Sequence, residues 1–241
     1  MVITSKSNPQ IKEISKLASD KKFRDELGLY LVEGAKPVNE CLSAGCNIKV
    51  IVCTEQHSDK YSDAVIVSDS VFSSISNEKT PQGVIAVVNK PINKLKAPQK
   101  SCILLDRIQD PGNLGTIIRT ANAAGYDEIY LINCADAFSP KAVRASMSGI
   151  FFVNIFCGER EEVLKALSGI PLICADMHGE NIFRFNAPER FCLCIGNEGS
   201  GICKEIFDIA QFKIKIPMRK TCESLNAAVS AGIAMYRLKN N

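Results

Sequence analysis

The stretch Phe191-Cys-Leu-Cys-Ile-Gly-Asn-Glu-Gly-Ser-Gly-Ile202 guides the interpretation of the whole sequence. Its first five residues are apolar, which predicts a buried strand over Phe191–Ile195. Three glycines within the next six residues permit unusual backbone angles and a close approach by a ligand, and Glu198 lies among them. Ligands of open α/β sheets bind beyond the carboxyl ends of the strands. The loop therefore predicts a binding site, with a turn that merely reverses the chain as the alternative.

The composition is that of a globular protein, with 46% apolar and 23% charged residues in a chain of 241. No apolar run approaches the ~20 residues that span a bilayer, and the first residues lack the pattern of a secretory signal, so we expect a cytoplasmic location. The eleven cysteines include no Cys-x-x-Cys spacing, and only His57 and His178 could complete a zinc site. We therefore expect reduced core thiols and no metal.

The chain divides into three predicted parts. Residues 1–90 alternate short strands and helices and form a small α/β unit, and residues 91–100 are a linker rich in lysine and proline. Residues 101–241 alternate strands and helices regularly, which predicts a mostly parallel sheet covered on both faces. The predicted strands are Cys102–Leu105, Glu128–Ile132, Phe151–Phe156, Leu172–Ala175, Phe191–Ile195 and Phe212–Ile216. The net charge is +3, and its excess of basic residues lies in the first hundred residues. This bias is compatible with contact to nucleic acid but is also explained by solvated lysines.

A second segment, Asp106-Arg-Ile-Gln-Asp-Pro-Gly-Asn-Leu-Gly-Thr-Ile-Ile-Arg119, predicts a turn followed by a helix. Asn113 suits the N-cap position. Gly115 and Arg119 are four residues apart, and the missing side chain of Gly115 leaves open space beside the guanidinium. Glycine inside a helix costs about 1 kcal/mol relative to alanine, so we expect something to fit there. A surface arginine above a helix-packing glycine is the alternative.

A third segment lies near the end of the chain. A predicted strand over Phe212–Ile216 stops at Pro217, which cannot donate to a sheet ladder. After a short loop, Ser224 suits the N-cap of a helix over Ser224–Leu238 whose first turns consist mostly of small residues. Small side chains let this helix approach a ligand closely, although packing against another backbone would also explain them.

Taken in this order, the three segments resemble the motifs of the SpoU (TrmH) family of RNA 2′-O-ribose methyltransferases, within the SPOUT superfamily. Asn113-x-Gly115-x-x-x-Arg119 resembles the first motif and Gly196-x-Glu198-x-x-Gly201 the second. Ile216-Pro217-Met218 followed by Ser224-Leu225-Asn226 resembles the third. Leu31–Gly34 with Lys36, and Thr80–Gly83, are similar to the ribosomal-protein-like substrate-binding domain of many members.

The resemblance implies a fold, a cofactor and partners. The fold is a C-terminal SPOUT-type α/β domain with a deep trefoil knot, preceded by a small α/β substrate-binding domain, in a homodimer. The cofactor is S-adenosylmethionine, and the partner is RNA. The implied catalytic residues are Arg119, Asn113, Glu198, Ser224 and Asn226. The implied cofactor-binding residues are Gly196, Asn197, Gly199, Gly201, Ile216, Met218 and Leu225, and the implied RNA-binding residues are Lys22, Arg24, Lys36 and Arg144.

The implied reaction is methyl transfer to a ribose 2′-OH, with 23S ribosomal RNA as the expected substrate. Arg119 would act across the dimer interface, as an anchor for phosphate and developing negative charge, because a guanidinium stays protonated and cannot be a base. Three alternatives remain: a transfer-RNA 2′-O-methyltransferase of the same family, a non-catalytic RNA-binding module, and a Rossmann-type oxidoreductase. The last lacks the Gly-x-Gly-x-x-Gly fingerprint.

Overall fold

The computed structural model describes residues 2–239, in which two β-sheets follow one another along the chain. The strands of the first sheet are Val2–Ile3 (β1), Leu29–Glu33 (β2), Ile48–Thr54 (β3), Val65–Val67 (β4) and Val84–Asn89 (β5). Their order is β1-β4-β3-β5-β2. The sheet is mixed, because β5 pairs antiparallel with β2 and β3, whereas β4 pairs parallel with β1 and β3.

Four α-helices accompany this sheet: Pro9–Ser19 (α1), Lys21–Leu27 (α2), Ala35–Ser43 (α3) and Asp69–Ile75 (α4). The apolar spacing of Ile11, Ile14 and Leu17 predicts a helix over Ser5–Leu17, but α1 begins later, because Asn8 caps it by accepting a hydrogen bond from the backbone amide of Gln10. Helices α2 and α4 were not predicted. Both are only two turns long, and such helices depend on tertiary packing rather than on their own propensity.

The second sheet is built from six parallel strands. They are Cys102–Asp106 (β6), Glu128–Ile132 (β7), Asn154–Cys157 (β8), Leu172–Asn181 (β9), Cys192–Ile195 (β10) and Phe212–Lys215 (β11), in the order β11-β9-β10-β6-β7-β8. The predicted α/β class and parallel sheet are confirmed. The strand predicted over Phe151–Phe156 is displaced, because residues Gly149–Phe151 form a 3₁₀ turn before β8 begins.

Five helices cover the two faces of the second sheet: Pro111–Ala123 (α5), Pro140–Ala145 (α6), Arg160–Ala166 (α7), Lys204–Ile209 (α8) and Ala227–Lys239 (α9). Strand side chains alternate between two apolar layers. Ile103 and Leu193 pack in the layer of α5 and α9, whereas Cys102, Cys192 and Cys194 pack in the layer of α7 and α8. This two-sided burial is what a parallel sheet requires.

All eleven cysteines are free thiols. Within residues 2–239, no group of His, Cys, Asp or Glu side chains is arranged to hold a metal ion. None of the helices in this range has the length and apolar character needed to cross a bilayer.

A buried ion pair connects the two sheets and corrects one expected RNA contact. Arg24 is only 4% exposed, and two of its guanidinium nitrogens donate to the same carboxylate oxygen of Asp136, at 2.9 and 2.8 Å. A third donates to the carbonyl of Leu17 at 2.6 Å. Arg24 is therefore fully occupied inside the protein and does not face a ligand. This pair could not be predicted from the sequence, because Arg24 stands in a basic run with Lys21 and Lys22, and such a run is typical of a solvated surface.

Replacing Arg24 by alanine is expected to lower the free energy of unfolding by about 3–5 kcal/mol, because the Asp136 carboxylate would remain buried without its partner. Urea unfolding followed by circular dichroism suits this measurement, since the chain contains no tryptophan. Lys22→Ala is the control: its side chain is exposed, and such changes usually shift stability by less than about 0.5 kcal/mol. Equal stability of the two variants would contradict the structural role of the pair.

Candidate active site

The glycine-rich loop after β10 is closed by its own backbone. Asn197 and Gly201 exchange two backbone hydrogen bonds, each 3.0 Å long, and Gly201 has a positive φ of 66°. The side-chain oxygen of Asn197 accepts from the amides of Gly199 and Ser200 at 3.0 and 2.9 Å. A Cβ at Gly196 would lie 2.3 Å from the carbonyl carbon of Gly201. The loop is thus a tight, specific structure that needs glycine at its entry.

Arg107 braces this loop from the end of β6. Its guanidinium donates to the Ser200 hydroxyl at 3.2 Å and to the Gly201 carbonyl at 3.1 Å. It also donates two hydrogen bonds to the Asp106 carboxylate, at 3.2 and 3.1 Å. Hydrogen bonding to Asp106 raises the pKa of Arg107. The side-chain amide of Asn197 donates in return to the Arg107 carbonyl at 2.9 Å. No role for Arg107 was predicted from the sequence. Its position directly after a strand, at the sheet edge where the glycine loop also begins, could have indicated one.

A chain of side-chain hydrogen bonds links the three motif segments. The amide of Asn113 donates to the Glu198 carboxylate at 2.8 Å. The amide of Asn226 donates to the side-chain oxygen of Asn113, also at 2.8 Å. We call this chain Glu198–Asn113–Asn226 the polar bridge. Three of the five residues expected to be catalytic therefore meet, although Asn113 and Asn226 are 113 positions apart in the sequence.

Helices α5 and α9 are not capped by Asn113 and Ser224, the residues predicted for these positions. Helix α5 begins at Pro111, not at Asn113, because Asp110 accepts from the backbone amide of Asn113 at 2.8 Å. A hydrogen bond from Lys141 lowers the pKa of Asp110, which keeps this cap charged. Helix α9 begins at Ala227, so Asn226, not Ser224, accepts from the first helical amides. Because Asp110 caps α5, the side chain of Asn113 takes part in the polar bridge instead.

A groove of about 510 Å³ lies between the end of β9, the end of β11 and the start of α9. Ile216, Met218 and Leu225, expected to bind the cofactor, line it, and so does Ser224. The lining also includes Asp176 and Met177 from the second half of β9, together with Ile182, Ile214 and Glu223. The groove therefore combines apolar walls with two carboxylates and with three basic side chains, Lys215, Arg219 and Lys220.

The four other residues expected to bind the cofactor, Gly196, Asn197, Gly199 and Gly201, form the neighbouring loop and do not line this groove. The polar bridge connects that loop to the groove through Asn226, which follows Leu225 directly. Residues of β9 were missed because the predicted strand ended at Ala175. The continuation of β9 depends on Gly179, where a Cβ would meet the backbone of Ile214 at 2.5 Å.

Arg119 stands apart from the groove. Its side chain is exposed on α5, and within residues 2–239 neither a hydrogen bond nor an ion pair holds its guanidinium. The open space predicted beside it at Gly115 is wrong: a Cβ at Gly115 would lie 2.3 Å from the carbonyl oxygen of Ala142. Helix α6 fills that space, so Gly115 allows two helices to pack closely.

The remaining residues expected to bind RNA are at the surface. Lys22 and Lys36 are highly exposed and form loose ion pairs with glutamates one helical turn away. Arg144 on α6 pairs with Glu78 of the first half of the chain. These three cations can reach a ligand, unlike Arg24.

Comparison with known proteins places this geometry in context. Residues 100–236 match the family described as SpoU rRNA Methylase, and residues 8–86 match the MRM3-like substrate binding domain. A Bacillus subtilis protein named 23S rRNA (guanosine(2553)-2′-O)-methyltransferase is 32% identical over 98% of both chains. An rRNA methyltransferase structure from Sinorhizobium meliloti with bound AdoMet has a TM-score of 0.90 and 31% identity, covering 98% of this chain and 96% of that one. The SpoU methyltransferase AviRb of Streptomyces viridochromogenes, also in complex with AdoMet, has a TM-score of 0.87 and 25% identity, covering 97% of both chains.

Proposed function

The chain belongs to the SpoU rRNA methylase family, and we propose that it transfers the methyl group of S-adenosylmethionine to a ribose 2′-OH of 23S ribosomal RNA. The polar bridge is the observation that carries the proposal. It joins the glycine loop, the start of α5 and the start of α9 beside the groove. The B. subtilis relative, matched over nearly its whole length, is named for this reaction on 23S rRNA.

S-adenosylmethionine is the cofactor that this groove fits. Its volume of about 510 Å³ lies within the ~300–1,000 Å³ typical of small-molecule sites. Ile182, Ile216 and Leu225 offer an apolar surface for the adenine. Asp176 and Glu223 can meet the positive groups of the cofactor, and the basic side chains of Lys215, Arg219 and Lys220 can meet its carboxylate. When bound, the cofactor supplies an electrophilic methyl group on a sulfonium centre. The glycine loop would close one side of this site with its backbone groups.

The residues of the chain would position and stabilise the attacking oxygen. Arg119 would anchor an RNA phosphate and stabilise negative charge on the 2′-oxygen. The polar bridge fixes the orientation of Glu198 and Asn226, and the exposed hydroxyl of Ser224 is free to contact the ribose. Holding donor and acceptor in line is the main contribution that such a site makes to the rate.

We further propose a homodimer that brings Arg119 to the groove of the partner subunit. Helices α5 and α9 pack side by side, and their outer surface exposes Val229 and Tyr236 to 51% and 48%. Phe152, next to α5, is 55% exposed. An apolar surface of this kind around an unbonded arginine is typical of a face that another subunit covers.

The trefoil knot is also a proposal. Strand β11 lies at the edge of the sheet, yet the chain after it crosses back so that Asn226 reaches Asn113 at the start of α5. A return of this kind, past the loop that follows β10, is the path that a threaded C-terminal segment would take.

We assign residues 1–90 to RNA binding, 91–100 to the linker and 101–241 to catalysis. The first sheet supports a large structured substrate, because the chain carries a second folded unit in addition to the methylase region. Lys22, Lys36 and Arg144 would contact this RNA. The bacterial 23S rRNA methyltransferase among the relatives supports a cytoplasmic location for this chain as part of the proposal.

The proposal is tested by calorimetry with S-adenosylmethionine and by mapping ribose 2′-O-methyl sites in cells with and without the gene. We expect binding of the cofactor, and the loss of a 23S rRNA site in the deletion strain that the parent gene restores. A lost site in transfer RNA alone would assign the enzyme to the other substrate class. Absence of cofactor binding would identify a non-catalytic RNA-binding module.

A further inference from the structure

A second cavity, separate from the groove, lies between the two halves of the chain. Its volume is about 250 Å³. Val32 and Pro37 line it from the first half, and Val143, Met147 and Phe151 line it from the second. Because drug-sized ligands occupy about 300–1,000 Å³, this interdomain pocket has room for a single ring system rather than for a whole cofactor.

Ser148 provides the first sign that the pocket holds a ligand. The residue lines the pocket and is only 6% exposed, and its hydroxyl has no hydrogen-bond partner within residues 2–239. A buried polar group without a partner is destabilising, because it has lost its hydrogen bonds to water without replacement. Such a hydroxyl is accounted for if a bound group supplies the missing hydrogen bond.

Backbone strain at the same position is a second sign. Met147 and Ser148 have φ angles of +44° and +66°, which residues other than glycine seldom adopt. Strained backbone of this kind clusters at ligand sites. Here it places the Ser148 hydroxyl and the 57% exposed Met147 side chain on the same pocket.

The rim of the pocket offers donors and acceptors together. Lys36 and Arg144 are the donors, and Glu33 and Glu78 are the acceptors. Arg144 and Glu78 form an ion pair with each other, and the guanidinium has further N–H groups for a ligand. Glu33 already accepts from Ser76 and from the backbone of Asn77, but a carboxylate has further acceptor capacity. Burial raises the pKa of Glu33, so a donor brought by a ligand would stabilise its charged form. The edges of guanine carry such donors as well as acceptors that arginine and lysine bind.

The pocket also lies next to the residue proposed to meet the target ribose. Gly149, directly after Ser148, packs so closely that a Cβ there would lie 3.0 Å from the Cα of Arg119. A base held in the pocket would therefore belong to a nucleotide near the methylated one. Recognition of RNA sequence commonly uses unstacked bases of this kind, held against side-chain faces and bonded at their edges.

We propose that the interdomain pocket binds an unstacked guanine base of the RNA substrate, close in sequence to the methylated nucleotide. This proposal rests on the proposed function, because it concerns the same substrate. The base would lie against Met147 and Phe151, with its edges bonded to the Ser148 hydroxyl and to the charged rim. The pocket would thereby determine which site in the RNA is methylated.

The full-length chain labelled with ¹³C at its methionine methyl groups allows a direct test by NMR. Met147 reports on the pocket, Met177 and Met218 report on the groove, and the buried Met235 is an internal control. Single Met→Leu variants assign the signals. We expect guanosine 5′-monophosphate to shift the Met147 signal in a saturable way, more than the other three nucleotides do, without shifting Met235. No shift of Met147, or equal shifts with all four nucleotides, would overturn the proposal.

A kinetic test uses Ser148→Ala, with the exposed Ser168→Ala as control. We expect the first variant to raise the KM for RNA several-fold and leave the affinity for S-adenosylmethionine unchanged, and the second to match the parent. An unchanged KM for RNA in Ser148→Ala would overturn the role of its hydroxyl. The groove signals distinguish failure of the pocket proposal from failure of the proposed function. The pocket proposal alone fails if RNA is methylated and S-adenosylmethionine shifts the signals of Met177 and Met218, while nucleotides do not shift that of Met147.

Discussion

Arg119→Ala is expected to slow methyl transfer to RNA by roughly 10²–10³-fold, the loss typical when a donor to developing negative charge is removed. The affinity for S-adenosylmethionine should stay close to that of the parent, because Arg119 does not line the groove. The fold should also persist. The side chain is exposed on α5, and alanine is the residue most favourable to a helix. Single-turnover methylation together with calorimetry separates the two effects.

Arg119→Lys distinguishes charge from geometry. Lysine keeps the positive charge but lacks the planar fork that binds phosphate through two hydrogen bonds. We therefore expect a rate between those of the parent and Arg119→Ala. The control for loss of one surface charge is Lys165→Ala, which lies on α7 and thus on the opposite side of the sheet. Turnover by Arg119→Ala at the rate of Lys165→Ala would remove Arg119 from the mechanism.

Mixed dimers test whether the proposed homodimer forms and whether Arg119 acts across its interface. If it does, a dimer of one Arg119→Ala subunit and one subunit with a damaged cofactor site retains one intact site. Random mixing of two such inactive variants would then restore about a quarter of the parent activity, because half of the dimers are mixed and each has one of two sites. If Arg119 acts within its own subunit, the mixture stays inactive.

The sequence was sufficient for features that depend on local pattern. Apolar runs of strand length predicted the six strands of the second sheet, because strands buried on both faces consist of continuous apolar residues. The resemblance to the SpoU motifs implied roles for Asn113, Glu198 and Asn226, and these residues meet in the polar bridge. What the pattern could not provide was the capping partner. Asp110 and Asn113 are both good caps, and the choice between them depends on which side chain has a tertiary partner.

Features that depend on contact between distant segments could not be predicted from the sequence. Arg24 lies in a run of basic residues that looked solvated, yet Asp136, 112 positions away, draws it into a buried pair. Gly115 was interpreted as space for a ligand, but only the packing of α6 shows what occupies it. The interdomain pocket combines residues from both halves of the chain, and no local periodicity indicates such a surface.

Gly196→Ala is expected to weaken binding of S-adenosylmethionine strongly, because the added methyl group would collide with backbone rather than with a movable side chain. The new Cβ would lie 2.3 Å from the Gly201 carbonyl carbon and 2.3 Å from the Ile202 nitrogen. Relieving this contact must separate residues 196 and 201 and strain the two hydrogen bonds that close the loop. Overpacking of this kind costs typically about 1–3 kcal/mol, which corresponds to a rise in Kd of roughly 5- to 150-fold if the strain falls on the bound loop.

Gly199→Ala in the same loop is the comparison that isolates the collision from a general effect of substitution. Its methyl group would meet only the Asn197 side-chain oxygen, at 3.7 Å, and its φ is not in the positive range. We therefore expect a much smaller rise in Kd than for Gly196→Ala. Urea unfolding of both variants shows whether the strain also reaches the fold through Asn197 and Arg107. Equal Kd values for the two variants would mean that the closed loop is not the form that binds the cofactor. In the closed loop, a methyl group collides with the backbone at position 196 but not at position 199.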